Sequence, residues 1–448
     1  MDILKFKDEL FAKALEGGFS DCEIHYVNGY SFEVSVFQNE VCDYQVKLPE
    51  ALSFRGSIDG KMGYAYTEHI EGSIDFLITQ AKDNAILKED YTEKLYKGSK
   101  EYNLQSSNYS SDIGKISPNK KIEIAKLMEQ AALNMDDVKT VDHCTIIEGY
   151  TQTSLYNSYG LSLTDKASHG VLFISVLAEK NGEIKRGLEI ELEKDLEGLD
   201  EKKLAKKAVE KATAQFGANV LKSGEYNILL TNEASVELLE VFSPCFFGEN
   251  VDKGLSLLKD KVDTVIANEN VTIADDVSNS KALYNIVFDS EGVCTKNKII
   301  VDKGVLKGYL HNLKSATKAG VEPTGNGFKS SVATPIGTSV VNFYIKPSNI
   351  TEAELLKQLN NGIMISAFSG LHAGANNITG DFSLLAEGFL VKDGKKDAPV
   401  FQFTMAGNYF ELLKNVEAVG DDLYFNKQGQ SIGSPSMLVK NVKIAGDD

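Results

Sequence analysis

Apolar and polar residues alternate with a period of two in two neighbouring runs near the start of the chain. These runs cover residues 22–27 and 31–36, and they flank Asn28 and Gly29. An Asn-Gly pair between two alternating runs is the strongest short-range indication of a two-residue hairpin. The pattern therefore predicts a β-hairpin that turns at these two residues.

A second alternating stretch and two helical patterns complete the first unit. Residues 53–67 alternate around Asp59 and Gly60, and this predicts another hairpin. Apolar residues recur at helical spacing over 70–87 and in the stretch that opens the chain. The first unit is therefore predicted to contain a helix, antiparallel strands and a second helix.

The next part of the chain repeats this mixture of helices and antiparallel strands. It follows the polar run 106–112, which we predict to be a linker because it has too few apolar side chains to hold a fixed place in a core. The predicted elements are an amphipathic helix over 121–135, strands over 143–147, 151–157, 171–179 and 184–192, a hairpin turn at 180–183, and a helix over 199–216.

From Gly224 onward, short apolar runs are broken by Gly, Asn and Asp, which is typical of a mainly β domain. Long strands do not alternate with crossover helices, and this disfavours a doubly wound parallel sheet. The predicted elements are strands over 226–231, 298–301, 340–345, 387–391 and 400–405, and one helix over 351–361 behind a cap at Pro347, Ser348 and Asn349.

The length of the chain, 448 residues, is too great for a single core of ordinary size. We therefore predict an α+β fold in three domains. The N-terminal α+β domain covers 1–105, the central α+β domain covers 113–218, and the C-terminal β-rich domain covers 222–448.

The composition limits which binding partners and which cellular compartment we expect for this protein. A formal charge of −17 gives no electrostatic support to binding of phosphate backbones. The five cysteines are scattered without a Cys-x-x-Cys pair, which is typical of reduced thiols. No apolar run approaches the roughly 20 residues of a membrane helix, and the first residues lack the apolar core of a signal peptide. We expect a cytoplasmic protein that binds neither nucleic acid directly nor a membrane.

Residues 235–254, SVELLEVFSPCFFGENVDKG, carry the most informative resemblance in the chain. They resemble the metal-site segment of the TldD/PmbA family of metallopeptidases, whose members are also described as modulators of DNA gyrase. The TldD branch carries His-Glu-x-x-x-His in this segment, whereas the PmbA branch, also called TldE, does not. On that pattern Leu239 and Pro244 occupy the two histidine positions, and Glu240 occupies the glutamate position.

The resemblance implies a zinc site from which every ligand is missing. Leucine has no donor atom and proline offers only a carbonyl, while zinc prefers imidazole, thiolate and carboxylate groups. The third ligand of the TldD branch is a cysteine near the C-terminus, and the matching residues 419–435 contain none. We therefore predict no metal and no cofactor in this chain, with zinc expected in a partner subunit.

Neither the six histidines of the chain nor Glu240 provides an obvious replacement for the missing zinc ligands. Without a metal to acidify water, the carboxylate of Glu240 has little to act on as a general base. We favour the interpretation that Glu240 lies with Glu237 on one helix face, in a polar groove or a subunit contact. Glu240 is therefore a weak catalytic candidate. The histidines are dispersed, with no pair two, three or four positions apart: His25, His69, His143, His169, His311 and His372.

Further segments extend the resemblance across the C-terminal half. Residues 288–293, 304–310, 324–327, 377–383 and 405–408 are similar to family turns and strands, and Thr-Gly-Asp-Phe-Ser and Ala-Gly-Asn resemble the PmbA branch more than the TldD branch. In the family such segments line a cleft, where an extended peptide is expected to bind by adding a strand. The candidates for this peptide-binding wall are Gly325, Asn326, Gly327, Asn377, Gly380, Asp381, Gly407 and Asn408, and ordinary turn chemistry is an equally good interpretation of them.

The resemblance implies a non-metal-binding, PmbA-type subunit of a zinc metallopeptidase complex that acts on unfolded peptides. Its partner would be a TldD-type chain in a heterodimer, although a homodimer is also compatible with the family. Two alternatives remain open at this point. One is a stand-alone homodimeric hydrolase of the same family, and the other is a protein-binding modulator of DNA gyrase.

Overall fold

The computed structural model describes residues 2–99, 101–102 and 108–447 and confirms the α+β fold class. Within these ranges no helix combines the length and the apolar character needed to cross a membrane. The helices are α1 Ile3–Glu16, α2 Ile74–Ile86, α3 Pro118–Leu133, α4 Glu201–Thr213, α5 Asn232–Phe242, α6 Gly248–Asp252, α7 Leu313–Ala319, α8 Glu352–Leu359, α9 Leu371–Gly374 and α10 Tyr409–Lys414, with a 3-10 turn at Ser243–Phe246.

Strands dominate the rest of the described chain. Those of the N-terminal half are β1 Asp21–Phe37, β2 Glu40–Lys47, β3 Glu50–Ile58, β4 Lys61–Thr67, β5 Val138–Asn157, β6 Ser162–Lys180 and β7 Glu183–Glu193. Those of the C-terminal half are β8 Gly224–Leu230, β9 Ile273–Asp275, β10 Lys298–Asp302, β11 Val305–Leu306, β12 Gly327–Phe328, β13 Gly337–Thr338, β14 Phe343–Ile345, β15 Gly362–Ser369, β16 Asp381–Lys392, β17 Lys395–Asn408, β18 Val416–Val419, β19 Tyr424–Phe425, β20 Ile432–Ser434 and β21 Met437–Ala445.

The first seven strands form one antiparallel sheet in the order β4-β3-β1-β5-β6-β7, with β2 also paired to β1. Strand side chains alternate between the two faces, and in β1 the even-numbered residues face the helices. Ile24 packs against α1 and α2, whereas Val34 packs against α3 and α4. The odd-numbered residues, including Glu23 and His25, lie on the opposite face. The helices therefore cover one face of the sheet along its whole length.

The hairpin predicted at Asn28 and Gly29 is wrong. β1 runs through both residues as a single strand, pairing first with β3 and then with β2. A Cβ at Gly29 would lie 2.3 Å from the backbone oxygen of Tyr150 on β5, so glycine here permits a close approach of two strands. The turn lies instead at Gln38 and Asn39, which both have positive φ.

Other predicted elements vary in accuracy. The hairpin at Asp59 and Gly60 is confirmed as the β3–β4 turn, and the helix over 70–87 is confirmed as α2. The two strands predicted over 143–157 are one strand, β5. The cap predicted at 347–349 is wrong by two residues, because Thr351 accepts from the backbone of Glu354 in a capping box.

The predicted domain boundaries stay predictions. The units predicted over 1–105 and 113–218 both contribute strands to the one N-terminal sheet. Residues 106 and 107 of the predicted linker lie outside the described residues, while Asn108 bridges to Ala167 on β6. The side chain of Asn108 also contacts the C-terminal half, since its Nδ2 donates to the backbone oxygen of Asn285 at 2.9 Å.

The C-terminal half contains a sheet that closes on itself. The order β17-β16-β15-β8-β21-β18 includes an additional pairing of β17 with β21, which closes five strands into a ring. α5 contributes to the large apolar core of this half, while α8 packs over a separate cluster around Leu229 and Met364. A second six-stranded sheet, β11-β10-β9-β14-β20-β19, lies beside α5 through β19 and β20. The closed sheet thus holds α5 in a fixed position.

We expect Gly29→Ala to destabilise the protein by on the order of 1–3 kcal/mol, because the added methyl group must displace the backbone of β5. The check is a lower thermal or urea midpoint than that of the wild-type chain. Gly308→Ala is the matched control, since a Cβ at Gly308 meets no atom within 4 Å. Equal losses in the two variants would contradict the close-approach explanation.

Candidate functional site

α5 carries the first two positions of the segment that resembles a metal site. Its N-terminus is capped by Thr231, whose side-chain oxygen accepts from the backbone N–H of Ala234 at 3.3 Å. Apolar residues recur along one side of the helix and face the C-terminal core. Leu239 is among them and is completely buried. The structure therefore places Leu239 in the core as a packing residue.

The second histidine position lies just after α5 ends. Pro244 falls within the 3-10 turn, and its carbonyl accepts from Asn250 Nδ2 at 2.9 Å. The next residue, Cys245, is buried and its thiol donates to the backbone oxygen of Asn377 at 2.8 Å. Burial raises the pKa of Cys245 to about 12, so its sulfur stays protonated near neutral pH.

Glu240 faces the C-terminal segment that matches the family's cysteine region. Its Oε2 accepts from Asn426 Nδ2 at 3.1 Å. Burial raises the pKa of Glu240, while hydrogen bonds from Asn426 and the backbone of Gln430, together with the nearby charge of His372, act to lower it. The carboxylate is thus held by amide donors, and it joins α5 to the loop around 426–430.

The residues at this corner do not fit a zinc ion. Zinc in an enzyme needs about three nitrogen, sulfur or carboxylate donors that converge on one point. Here one position is an apolar core residue, one is a proline, and the Glu240 carboxylate is occupied by hydrogen-bond donors. Over the ranges that the structure covers, no group of three His, Cys, Asp or Glu side chains could hold a metal.

Glu237 is a functional candidate that the sequence analysis treats only as a neighbour of Glu240. It lies one turn before Glu240 on α5, and its Oε2 accepts from the backbone N–H of Phe368 at 2.9 Å. Burial raises the pKa of Glu237 to about 7, and the neighbouring charges of Glu233, Glu387 and Glu240 add to the rise. The three-residue spacing of the two glutamates predicts that they share a helix face, but not how deeply Glu237 is buried.

A groove of about 1030 Å³ passes the Glu240 corner. One side is formed by the last residues of β7 and the segment that follows, over 191–199, and the other by 278–285 and 423–427 of the C-terminal half. Asn426 lines this groove and also donates to Glu240, so the groove and the glutamate share one residue. Its central-domain side carries four carboxylates, of Glu191, Glu193, Asp195 and Glu197, beside Lys194, and Glu191 Oε1 lies 3.9 Å from Lys427 Nζ on the other side.

Comparison with known proteins identifies the family. The profile of the PmbA/TldA metallopeptidase C-terminal domain matches residues 223–446, and that of the central domain matches 111–216. The chain belongs to the TldD/PmbA family. The C-terminal profile includes α5, the Glu240 corner and the whole closed sheet.

Relatives in the TldD/PmbA family cover most of the chain. Metalloprotease PmbA of Escherichia coli O157:H7 is 27% identical over 74% of this chain and 71% of its own. An uncharacterised protein of Methanocaldococcus jannaschii is 27% identical over 94% of this chain and 95% of its own. These matches support a PmbA-type metallopeptidase-like protein.

Solved structures of the family share the whole fold. A Thermotoga maritima protein named as a candidate modulator of a DNA gyrase has a TM-score of 0.90 and 32% identity, covering 99% of this chain and 100% of its own. TldE from Thermococcus kodakarensis has a TM-score of 0.88 at 23% identity, covering 98% and 100%, and shows the fold alone.

The first group of predicted wall residues is buried beside a family turn. Asn326 is completely buried, and its Nδ2 donates to Asp275 Oδ2 and to the backbone oxygen of Ser339, both at 2.8 Å. The backbone N–H of Gly327 donates to Asp289 Oδ2 at 2.8 Å. Gly325 is also buried, with positive φ. These polar groups are used within the fold, and their part in peptide binding stays a prediction.

The second group lies at a largely exposed turn near Cys245, in which Gly380 itself is buried. Asn408 Nδ2 donates to Asp381 Oδ1 and to the backbone oxygen of Thr379, both at 2.9 Å, and Asn408 also caps α10. Asn377 contacts Cys245, while Gly380 has positive φ. Gly407 pairs with Phe382 between β16 and β17. This group is separate in its contacts from Asn326, and its role in peptide binding also stays a prediction.

Glu237→Gln is expected to stabilise the protein at pH 8 but not near pH 4. The pKa of Glu237 rises from 4.5 to about 7 on folding, so its stabilising contribution is present below pH 4.5 and is lost as the pH rises through 7. Glutamine keeps an oxygen for the Phe368 N–H without the charge. Thermal midpoints of both chains across this range provide the measurement.

Glu269→Gln is the control, because Glu269 is an exposed glutamate outside α5. Its effect on the midpoint should not change with pH in this way. A constant offset between Glu237→Gln and the wild-type chain from pH 4 to pH 8 would argue against a buried, titrating Glu237.

Proposed function

We propose that this chain is the non-metal-binding, PmbA/TldE-type subunit of a cytoplasmic zinc metallopeptidase complex that acts on unfolded peptides. A TldD-type chain would be its partner and would supply the zinc. The observation that carries the proposal is the Glu240 corner, where a family-like scaffold holds the glutamate with amide donors and places Leu239 in the core.

The groove beside Glu240 supports a peptide as the ligand. β7 stands at the end of the sheet order and pairs only with β6 among the described strands. An extended peptide along its free edge would form main-chain hydrogen bonds, which require little sequence specificity. The acidic groups at 191–197 would favour segments that carry basic side chains or a free amino terminus.

Assembly with a partner would explain how a chain without zinc ligands contributes to peptide cleavage. The proposed partner provides the metal, and the groove of this chain provides a surface that keeps the peptide extended. A homodimer would have no metal centre of this type in either copy. The heterodimer is therefore the assembly that the proposal requires.

Binding to DNA gyrase is a second candidate function, favoured by the name of the Thermotoga maritima relative. The charge of −17 is better suited to contact with protein than with DNA. Recovery of gyrase with this chain, in the absence of a TldD-type partner and of peptide cleavage, would favour this candidate.

The chain alone is expected to show no zinc-dependent cleavage of an unstructured peptide, because it lacks a ligand set for zinc. With a TldD-type partner that has an intact His-Glu-x-x-x-His segment, we expect cleavage that a chelator abolishes. The measurement is peptide product by mass spectrometry, together with the metal content of each purified chain.

Two variants separate the roles of the subunits. Changing the first motif histidine of the partner to alanine should abolish cleavage, whereas Glu240→Gln in this chain should leave the rate of the complex unchanged. Zinc-dependent cleavage by this chain without a partner would overturn the proposal and support the stand-alone hydrolase.

A further inference from the structure

A second cavity, of about 380 Å³, lies between the N-terminal sheet and the C-terminal half. Its sheet side is the face opposite the helices and includes His25, Thr153 and Leu155. Its other side includes Phe288 and Lys329. The cavity is within the usual size range of small-molecule sites, and none of the residues named at the Glu240 corner lines it.

His25 presents an unsatisfied polar atom at this cavity. The side chain is 9% exposed, and its Nδ1 has no hydrogen-bond partner within the described part of the chain. Burial lowers the pKa of His25 to about 3, and the charges of Lys329 and Arg55 contribute, so the ring is neutral at pH 7. A neutral imidazole carries one N–H and can donate one hydrogen bond to a ligand.

Lys329 is half-buried and lines both this cavity and a neighbouring cavity of about 230 Å³, which also includes Tyr64 and Thr334. Its Nζ donates to the backbone oxygens of Thr334 at 2.6 Å and Val332 at 3.4 Å, both within its own loop. No carboxylate of the described residues lies within ion-pair distance of it. Two carbonyl contacts leave one of its three protons for a ligand, and an anion would supply the missing counter-charge.

Two buried acidic groups of this region, Glu23 and Asp289, are already used by the fold. Glu23 accepts from Arg55 Nε at 2.6 Å. Asp289 accepts from the backbone N–H groups of Glu291 and Val293 at 2.9 Å and of Gly327 at 2.8 Å. Burial raises the pKa of Asp289 to about 7. These carboxylates are therefore occupied by other donors, although the charge of Glu23 still acts to raise the pKa of Lys329.

Asp165 also lines the cavity, at its sheet side, where Asn108 Nδ2 donates to its Oδ2 at 3.3 Å. A dianion such as phosphate would meet these acidic groups with Lys329 as the one lysine or arginine among the residues that line the cavity. A monoanion needs only that one positive charge. The remaining surface is largely apolar and would contact a hydrocarbon group of the ligand, through Val27, Leu155, Ile286, Phe288, Phe328 and Val332.

We propose that this cavity binds a small monocarboxylate with an apolar body, whose carboxylate contacts Lys329 and His25. The apolar group would lie against the side chains of the sheet and of the loop around Phe328. Such a site is separate from the proposed peptide groove and does not depend on a metal-bearing partner. The chain would therefore bind this class of ligand without a partner subunit.

The probe is N-acetyl-L-leucine, with N-acetyl-L-leucinamide as its neutral match, titrated into the full chain by calorimetry or NMR. We expect saturable binding of the acid at pH 7, roughly tenfold or more tighter than the amide, because a charge-assisted hydrogen bond is lost with the amide. Lys329→Met should weaken binding of the acid by a similar factor, whereas the exposed Lys296→Met should not.

The pH dependence distinguishes a ligand contact from a structural role of Lys329. Burial and the charge of Arg55 lower its pKa to about 8, although Glu23 opposes this. His25, Asp289 and Asp165 line the cavity together with Lys329, and the Nζ of Lys329 lies 5.8 Å from the ring centre of Tyr64. Ionisation of Asp289 adds a negative charge to the cavity and, like loss of the ammonium charge of Lys329, weakens binding of an anion. Binding of the acid should therefore weaken from pH 7 to pH 9.

Lys329→Arg should lose less binding between pH 7 and pH 9 than the wild-type chain, because the guanidinium remains charged and only Asp289 titrates. Thermal melts establish that each variant is folded. The difference between the wild-type and Lys329→Arg profiles separates the effect of Lys329 from that of Asp289. Equal binding of acid and amide, no saturable binding of the acid, or a profile that does not change up to pH 9 would overturn the proposal. Inorganic phosphate binding as tightly as the acid would overturn the requirement for an apolar body.

Discussion

A buried guanidinium at the contact between the two halves of the chain constrains the surrounding structure. Arg55 on β3 is 5% exposed, and its Nε donates to Glu23 on β1 at 2.6 Å. Its Nη1 also lies 3.8 Å from Glu291 of the C-terminal half. A buried ion pair adds little net stability compared with apolar packing, but loss of one partner leaves a charge in the interior and is costly. The halves are thus restricted to arrangements that keep Arg55 paired.

The contact between Arg55 and Glu291 also positions a turn that forms one wall of the cavity lined by His25 and Lys329. Glu291 Oε2 accepts from the backbone N–H of Leu313 at 2.7 Å and so fixes the start of α7. Asp289, two residues earlier, organises its own turn by accepting backbone N–H groups. Burial raises the pKa of Glu291 to about 8, and the charge of Asp289 adds to this effect, while Arg55 opposes it. The cavity therefore borders two buried carboxyl groups, Asp289 and Glu291, whose charged forms are disfavoured by burial.

Local chemistry predicted much of the fold but failed where distant strands decide the geometry. Asn28-Gly29 and Asp59-Gly60 carry similar turn residues, and only the second pair forms a turn. At Gly29 the deciding contact comes from Tyr150 on β5, more than a hundred residues away, and no local pattern reveals it. The alternation of β1 nevertheless identifies correctly which residues face the helices, because side-chain direction depends only on the strand itself.

At the candidate site, too, the chemistry of single side chains can be predicted from the sequence, whereas their packing and hydrogen-bond partners cannot. Leucine and proline side chains have no metal-binding donor, so the unsuitability of these positions for zinc follows from the sequence alone. The hydrogen-bond partner of Glu240 cannot be predicted in this way, because Asn426 lies 186 positions away in the sequence. A buried carboxylate with a raised pKa beside a groove ordinarily indicates a catalytic acid or base. Here the raised pKa has burial as its main cause, and the hydrogen bonds come from amide donors that hold the charged form in place. These contacts give Glu240 a sufficient structural role in joining α5 to the loop at 426–430, and they leave the proposed catalysis to the metal of a partner chain.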